Sequence, residues 1–200
     1  VARRTSAACA PQLFPATESL TDLRARAKHC KACDLWKTGT PTVFGEGAKH
    51  PKIMFVGEQP GDQEDLQGRS FVGPAGKLLD SALEKAGIAR EKTYITNAVK
   101  HFKWEPRGKR RIHKKPNNAE IAACRPEVIV CLGATAAQAL LGRDFRVTQS
   151  RGRLMKSSLA PFIMATVHPS SILRAPDEES RHNEMKHFID DLKKLSKFTR

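Results

Sequence analysis

Three apolar runs in this chain each end on a polar residue able to do chemistry, and that repeated pattern restricts the fold more than any other feature. Lys52-Ile53-Met54-Phe55-Val56 leads into Gly57-Glu58-Gln59-Pro60-Gly61-Asp62, and Thr93-Tyr94-Ile95-Thr96 leads into Asn97. Phe162-Ile163-Met164-Ala165-Thr166-Val167 leads into His168-Pro169-Ser170-Ser171. Short runs that are apolar throughout and bounded by turn residues read as strands buried on both faces. A further run, Glu127 to Leu132, ends at Gly133. In open α/β sheets ligands bind outside the carboxyl ends of the strands. Glu58, Gln59, Asn97 and His168 are therefore expected around one crevice. The basic loop Gly108-Lys109-Arg110-Arg111-Ile112-His113 is expected to hang over it.

Helical patterns separate these runs. Thr17 to His29 carries Leu20, Leu23 and Ala27 at helical spacing. Pro74 opens a helix with Leu78, Leu79, Ala82, Leu83 and Ala86 on its apolar face, and Gly87 ends it. Asn117 or Asn118 caps a short helix over Glu120 to Cys124, and Ala134 to Leu141 forms another before Gly142. Phe145 to Thr148 and Gly152 to Met155 suggest a β excursion. Glu178 to Phe198 reads as a closing amphipathic helix with Met185, Phe188, Ile189, Leu192 and Leu195 inward. Alternating strands and helices predict a three-layer α/β/α domain around a central four-stranded, mainly parallel sheet. Residues 1–16 read as a disordered tail and 17–200 as a single domain.

Composition narrows the function. Lys and Arg number 35 against 21 Asp and Glu, a formal charge of +14, which points to a polyanionic partner such as nucleic acid. A basic surface without function is the plainer reading of the same number. No run approaches the roughly 20 apolar residues that span a bilayer, and the first residues lack a signal-peptide core, so a cytoplasmic protein with no membrane partner is expected. Gly57 to Gly61 makes no dinucleotide fingerprint, and no P-loop lysine motif occurs, which disfavours nicotinamide and nucleoside-triphosphate chemistry. Of five cysteines, Cys131 lies inside an apolar run and reads as core, and Cys9 lies in the tail. Cys30, Cys33 and Cys124 remain, and three cysteines need a fourth ligand to hold a metal centre.

Gly57-Glu58-Gln59-Pro60-Gly61-Asp62-Gln63-Glu64-Asp65, Phe71-Val72-Gly73-Pro74-Ala75-Gly76, Asn97-Ala98-Val99-Lys100 and His168-Pro169-Ser170-Ser171 resemble the iron–sulfur branch of the uracil-DNA glycosylase superfamily. The loop Lys109-Arg110-Arg111-Ile112-His113 resembles the mark of its UdgX class, which becomes covalently trapped on uracil-containing DNA. The resemblance covers about residues 20 to 195. It implies that a flipped uracil stacks on Phe71 and is read by Asn97, with Gly57 also at the base. It also implies that His168 stabilises the departing base and that His113 captures the sugar in a single turnover. Water oriented by Glu58 or Asp62 would instead give an ordinary turnover enzyme. Gln59 stands where ordinary relatives tend to have alanine, and a hydrogen bond from it to Glu58 or to the basic loop suits the trapping class.

Lys109, Arg110, Arg111, Ser170 and Ser171 are the expected phosphate contacts. Cys30, Cys33 and Cys124 match three cluster ligands, and His101 stands where the family has its remaining cysteine. A [4Fe–4S] cluster with three cysteines and one histidine follows, and zinc suits the same ligands. Only Arg125 and Pro126 separate Cys124 from the strand run that starts at Glu127, shorter than the family leads one to expect. The implied substrate is uracil-containing DNA, single-stranded as well as duplex, bound by a monomer. Each residue also fits a plainer role: Phe71 as core, Asn97 as a turn residue, His168 as structural, Ser171 as a helix cap. On that reading the chain is a metal-containing nucleic-acid-binding module without chemistry.

Overall fold

The computed structural model describes residues 19–31, 34–37, 40–102 and 125–199. The expected tail, the basic loop, the helix over Glu120 to Cys124, Cys33 and Cys124 lie outside the described residues. Five strands form one sheet: β1 (Glu46–Gly47), β2 (Ile53–Gly57), β3 (Tyr94–Asn97), β4 (Val128–Leu132) and β5 (Phe162–Thr166). Their spatial order is β1-β3-β2-β4-β5, with β1 antiparallel and the other four parallel. The expected sheet of four strands therefore gains a fifth. Two residues are too few to show any periodicity, so β1 is silent in the sequence.

Side chains alternate between the two faces of the sheet, as the two-residue period of a strand requires. Ile53, Phe55, Val128, Val130, Leu132 and Met164 pack on one face under α3 (Pro74–Lys85) and α7 (Glu178–Lys193). Met54, Val56, Ile129, Cys131, Ile163 and Ala165 pack on the other against Ala136 and Ala137 of α4 (Ala134–Leu141). Cys131 is fully buried, and burial pushes its thiol up to about 12, so it is the core thiol the sequence predicts. Among the described residues no helix is long and apolar enough to cross a membrane.

Several boundaries differ from expectation. The first helix, α1, is shorter, Leu20–Ala27, because Ser19 caps it through a bond from the Asp22 amide at 3.2 Å. The segment between Gly61 and Gly73 contains a short helix, α2 (Asp62–Gln67). The predicted β excursion forms no strand: Val147–Ser150 is the short helix α5, and only isolated bridges at Arg151 and Met155 join this segment to β5. A further short helix, α6 (Pro169–Leu173), follows β5. The closing helix stops at Lys193, and Ser196–Phe198 continues as a 3-10 turn. Arg125, at φ 47, turns the chain directly into β4, as the short spacing after Cys124 requires.

The connections on either side of the centre create the crevice. The chain leaves β2 through α3 on one face and leaves β4 through α4 on the other. Adjacent parallel strands with such opposed connections leave an opening at their carboxyl ends.

Candidate active site

Every expected crevice residue within the described chain lies at or just beyond the carboxyl end of a strand. Gly57 ends β2, opposite Asn97 at the end of β3. The ladder runs past both strands, because the Ala98 amide donates to the Gly57 carbonyl at 2.9 Å and the Val99 amide to that of Glu58 at 3.0 Å. Glu58 is thereby held beside Asn97. Gly57 is a glycine for a steric reason. A Cβ there would lie 2.4 Å from Asn97 Oδ1 and 2.6 Å from Phe71 Cζ. Those two distances also show that the Phe71 ring, the Asn97 amide and the Gly57 backbone meet at one point.

Phe71 reaches that point through an unusual backbone. Its φ of 56 lies in the left-handed region, a conformation costing roughly 1–3 kcal/mol in a residue with a side chain. The ring is buried and faces His168, with centroids 5.7 Å apart and planes inclined by 35°. Two contacts fix the segment. The Glu64 carboxylate accepts from the Gly61 amide at 3.1 Å and from the Gly73 amide at 2.7 Å. Gly76 on α3 lies so close that a Cβ would come within 1.8 Å of the Phe71 carbonyl oxygen. Neither Glu64 nor Gly76 stands out from its neighbours in the sequence. The signal for Glu64 was its place three residues after Gly61, the spacing at which a glutamate turns back onto the amide that starts its own helix.

The imidazole of His168 is fixed in one tautomer. The Ser170 amide donates to Nδ1 at 3.1 Å, and the Ser170 hydroxyl lies 2.8 Å from the same nitrogen. Nδ1 therefore carries the lone pair and Nε2 carries the proton. Burial pushes this histidine down to about 4, with Arg174 acting in the same direction against Glu58 and Glu64. It is thus a neutral N–H donor at physiological pH. The Ser171 hydroxyl donates to the His168 carbonyl at 2.7 Å. Both serines expected at a phosphate therefore have hydroxyls turned onto His168.

Two buried acceptors of this region, Asn97 Oδ1 and Gln59 Oε1, have no hydrogen-bond partner among the described residues. A buried polar atom without a partner is costly and points to a ligand that supplies one. A bond donated by Gln59 would run through its Nε2, and the basic loop lies outside the described residues. Asp62 is exposed on the first turn of α2. Lys109, Arg110, Arg111 and His113 lie outside the described residues.

Of the expected metal ligands, Cys30 and His101 are described. The Cys30 amide and the Thr42 hydroxyl both donate to the Ala27 carbonyl, each at 3.0 Å. His101 Nε2 lies 3.0 Å from that hydroxyl oxygen. Since the hydroxyl hydrogen is directed to Ala27, Nε2 is the donor and Nδ1 holds the lone pair, the form a metal-ligating histidine takes. Burial lowers the His101 pKa, against an opposing effect of Asp65. The Thr42 hydroxyl thus links His101 to the end of α1, which Cys30 follows. Among the described residues no group of three or more metal-binding side chains occurs, two of the four expected ligands lying outside them.

Residues 44–193 match the family model for the uracil DNA glycosylase superfamily. The type-4 uracil-DNA glycosylase of Thermotoga maritima is 36% identical over 199 residues, covering 93% of this chain and 97% of that protein. That of Archaeoglobus fulgidus is 37% identical over 177 residues, covering 80% of this chain and 85% of that protein. A DNA polymerase of Bacillus phage SP01 is 30% identical over 171 residues, covering 82% of this chain but 18% of that protein. With its strand-end crevice, its facing Phe71 and His168 rings, and these relatives, the chain belongs to the uracil-DNA glycosylase superfamily and is a close homologue of its type-4 members.

Proposed function

We propose that this protein excises uracil from DNA. The observation that carries the reading is the meeting of an aromatic ring, an unpartnered amide oxygen and a neutral imidazole N–H at one crevice. A base inside a duplex must leave the stack before such a pocket can hold it. Uracil then lies on Phe71. Asn97 Oδ1 accepts its N3–H, and the Asn97 amide nitrogen donates to O4. Cytosine presents the reverse pattern at those two positions and is refused.

As the bond between N1 and C1′ of the nucleotide breaks, its electron pair goes to the base. His168 Nε2–H donates to the uracil oxygen on which that charge gathers. A fixed donor aimed at charge present only in the transition state acts by electrostatic stabilisation. The sugar is left as an oxocarbenium-like species that needs a nucleophile. In the reading that the type-4 relatives support, water oriented by Glu58 or Asp62 adds to C1′, loses a proton and completes hydrolysis. Single-stranded and duplex DNA both serve as substrate for a monomer.

Covalent capture is the second reading, favoured by His113 in the loop Lys109 to His113. There an imidazole nitrogen of His113 bonds to C1′ in place of water. Incubation with a uracil-containing oligonucleotide, followed by a denaturing gel and assay of free uracil, decides among the possibilities. Repeated release of uracil without an adduct identifies hydrolysis. One equivalent of uracil with a denaturation-resistant adduct identifies capture, and His113→Ser then loses the adduct while still releasing uracil. Neither product identifies the binding module.

Cys30, Cys33, Cys124 and His101 are proposed to hold a [4Fe–4S] cluster, which would tie the long loop to α1 and takes no part in the chemistry. The purified protein is expected to be yellow-brown, with iron and sulfide bound and His101→Ala losing both. A colourless protein with one equivalent of zinc overturns the cluster assignment.

A further inference from the structure

Phe71 is displayed in the crevice by a backbone that does not favour the conformation, and the group holding it lies behind the crevice. Arg90 stands on a 3-10 turn (Arg90–Lys92) just before β3. Its Nη2 donates to the Ser70 carbonyl at 3.1 Å and reaches the Phe71 carbonyl at 3.5 Å. The guanidinium is anchored on the other side by two carboxylates. Asp80 of α3 takes Nη1, and Glu46 of β1 takes Nη2 at 3.3 Å. Glu46 also binds the Arg69 guanidinium, at 2.9 and 3.3 Å. The planar fork thus joins the sheet edge, α3 and the Ser70–Phe71 backbone at one group. Lysine offers the same charge without that fork.

The direction of the contacts gives their purpose. The Phe71 carbonyl points toward Arg90 and Gly76, while its ring points toward Gly57, Asn97 and His168. A residue strained into the left-handed region keeps that conformation only while its surroundings over-determine it. Turning the peptide to relieve the strain would swing the ring out of the crevice. We infer that Arg90 is a positioning residue for Phe71: it clamps the Ser70 and Phe71 carbonyls and so holds the aromatic floor on which the base lies. The inference rests on the proposed uracil reading for the use of the ring, though not for the clamp itself.

The test is a double-mutant cycle on the single-turnover rate of uracil release, a step common to hydrolysis and capture. Arg90→Lys retains a charge for Asp80 and Glu46 but loses the fork. It is expected to slow release between about tenfold and a hundredfold, the range of a lost charge-assisted hydrogen bond. In a Phe71→Leu background the same change is expected to matter less than about threefold, because Arg90 acts through that ring. An equal loss in both backgrounds, or a wild-type rate for Arg90→Lys, overturns the inference. If Arg90→Lys does not fold, Glu46→Gln takes its place, since it loosens one anchor and leaves the guanidinium. It is expected to show a several-fold loss with the same non-additivity. Hydrogen exchange of the amides of residues 71–73 provides the second measurement. Faster exchange in the variant, with the α3 amides unchanged, is expected, and unchanged exchange overturns the clamp. A wild-type protein that releases no uracil overturns the functional reading alone, and exchange then still decides whether Arg90 orders the segment.

Discussion

His168→Ala is expected to lower the single-turnover rate of uracil release between about a hundredfold and a thousandfold, the usual cost of removing one fixed donor to a developing anion. Substrate binding should change far less, since Phe71 and Asn97 are untouched and the lost bond strengthens only as the base departs. The pH profile carries a second signature of the same residue. With His168 at about 4 in the folded protein, its neutral donor form persists through the range in which an ordinary histidine titrates. Release should therefore show no loss between pH 7 and 5 from this group. Stability behaves differently. The unfolded chain takes up a proton near 6.5, whereas the folded protein does so near 4. Between those values the unfolded state binds more protons, so the folded state loses stability as pH falls and the loss levels off below about 4. Denaturant titrations across pH 7 to 4 check that sign. A stability flat across that window in the wild type would contradict the burial of this imidazole, as would the same slope in the alanine variant.

Gly76→Ala is the second large effect, and its sign is opposite to helix propensity. Alanine in the body of an exposed helix normally improves on glycine by about 1 kcal/mol. Here the added carbon would stand 1.8 Å from the Phe71 carbonyl oxygen and 2.2 Å from its carbon, both backbone atoms with no side-chain freedom to yield. Either α3 moves off the sheet or the Phe71 peptide turns. The variant is expected to be destabilised by about 3 kcal/mol, typical of forced overpacking. That corresponds to a fall of roughly 10 °C in Tm for a domain of this size. Uracil release should fall further than stability explains, because the ring moves with its backbone. Thermal unfolding and single-turnover assay of one preparation check both parts. A Gly76→Ala protein as stable and active as wild type would mean that the contact between α3 and Phe71 is misplaced.

What the sequence disclosed follows from run length and periodicity. The four long strands were legible because each is a short, uninterrupted apolar run, and the crevice residues because three of those runs end on a polar side chain. The elements α2 and α5 were not, being too short for a helical period to accumulate. Phe71 was visible as a residue between Gly68 and Gly73, but nothing in a non-glycine symbol announces a φ of 56. Arg90 was invisible for a different reason. Its partners Glu46, Ser70 and Asp80 are scattered along the chain and meet only when β1, β3 and α3 come together. The serines after His168 are expected at phosphate; in the fold the Ser170 hydroxyl lies 2.8 Å from the His168 ring nitrogen and the exposed Ser171 hydroxyl donates to the His168 carbonyl. A hydroxyl close in sequence to a helix start has a backbone or cap partner within reach at little entropic cost, and sequence alone does not weigh that against a distant ligand.

The ladder that continues past β2 and β3, and the opposed connections of β2 and β4, make the crevice a joint product of separate strand ends. Gly57, Asn97 and His168 occupy three strand termini that no local stretch of chain brings together. Function is consequently all-or-none with respect to chain integrity. A fragment ending before Phe162 would keep the floor and the reading amide yet lack the donor, and no excised helix–strand unit would hold a base. Loss of base recognition during gradual denaturation should then coincide with loss of the sheet itself, with no partly active species between them.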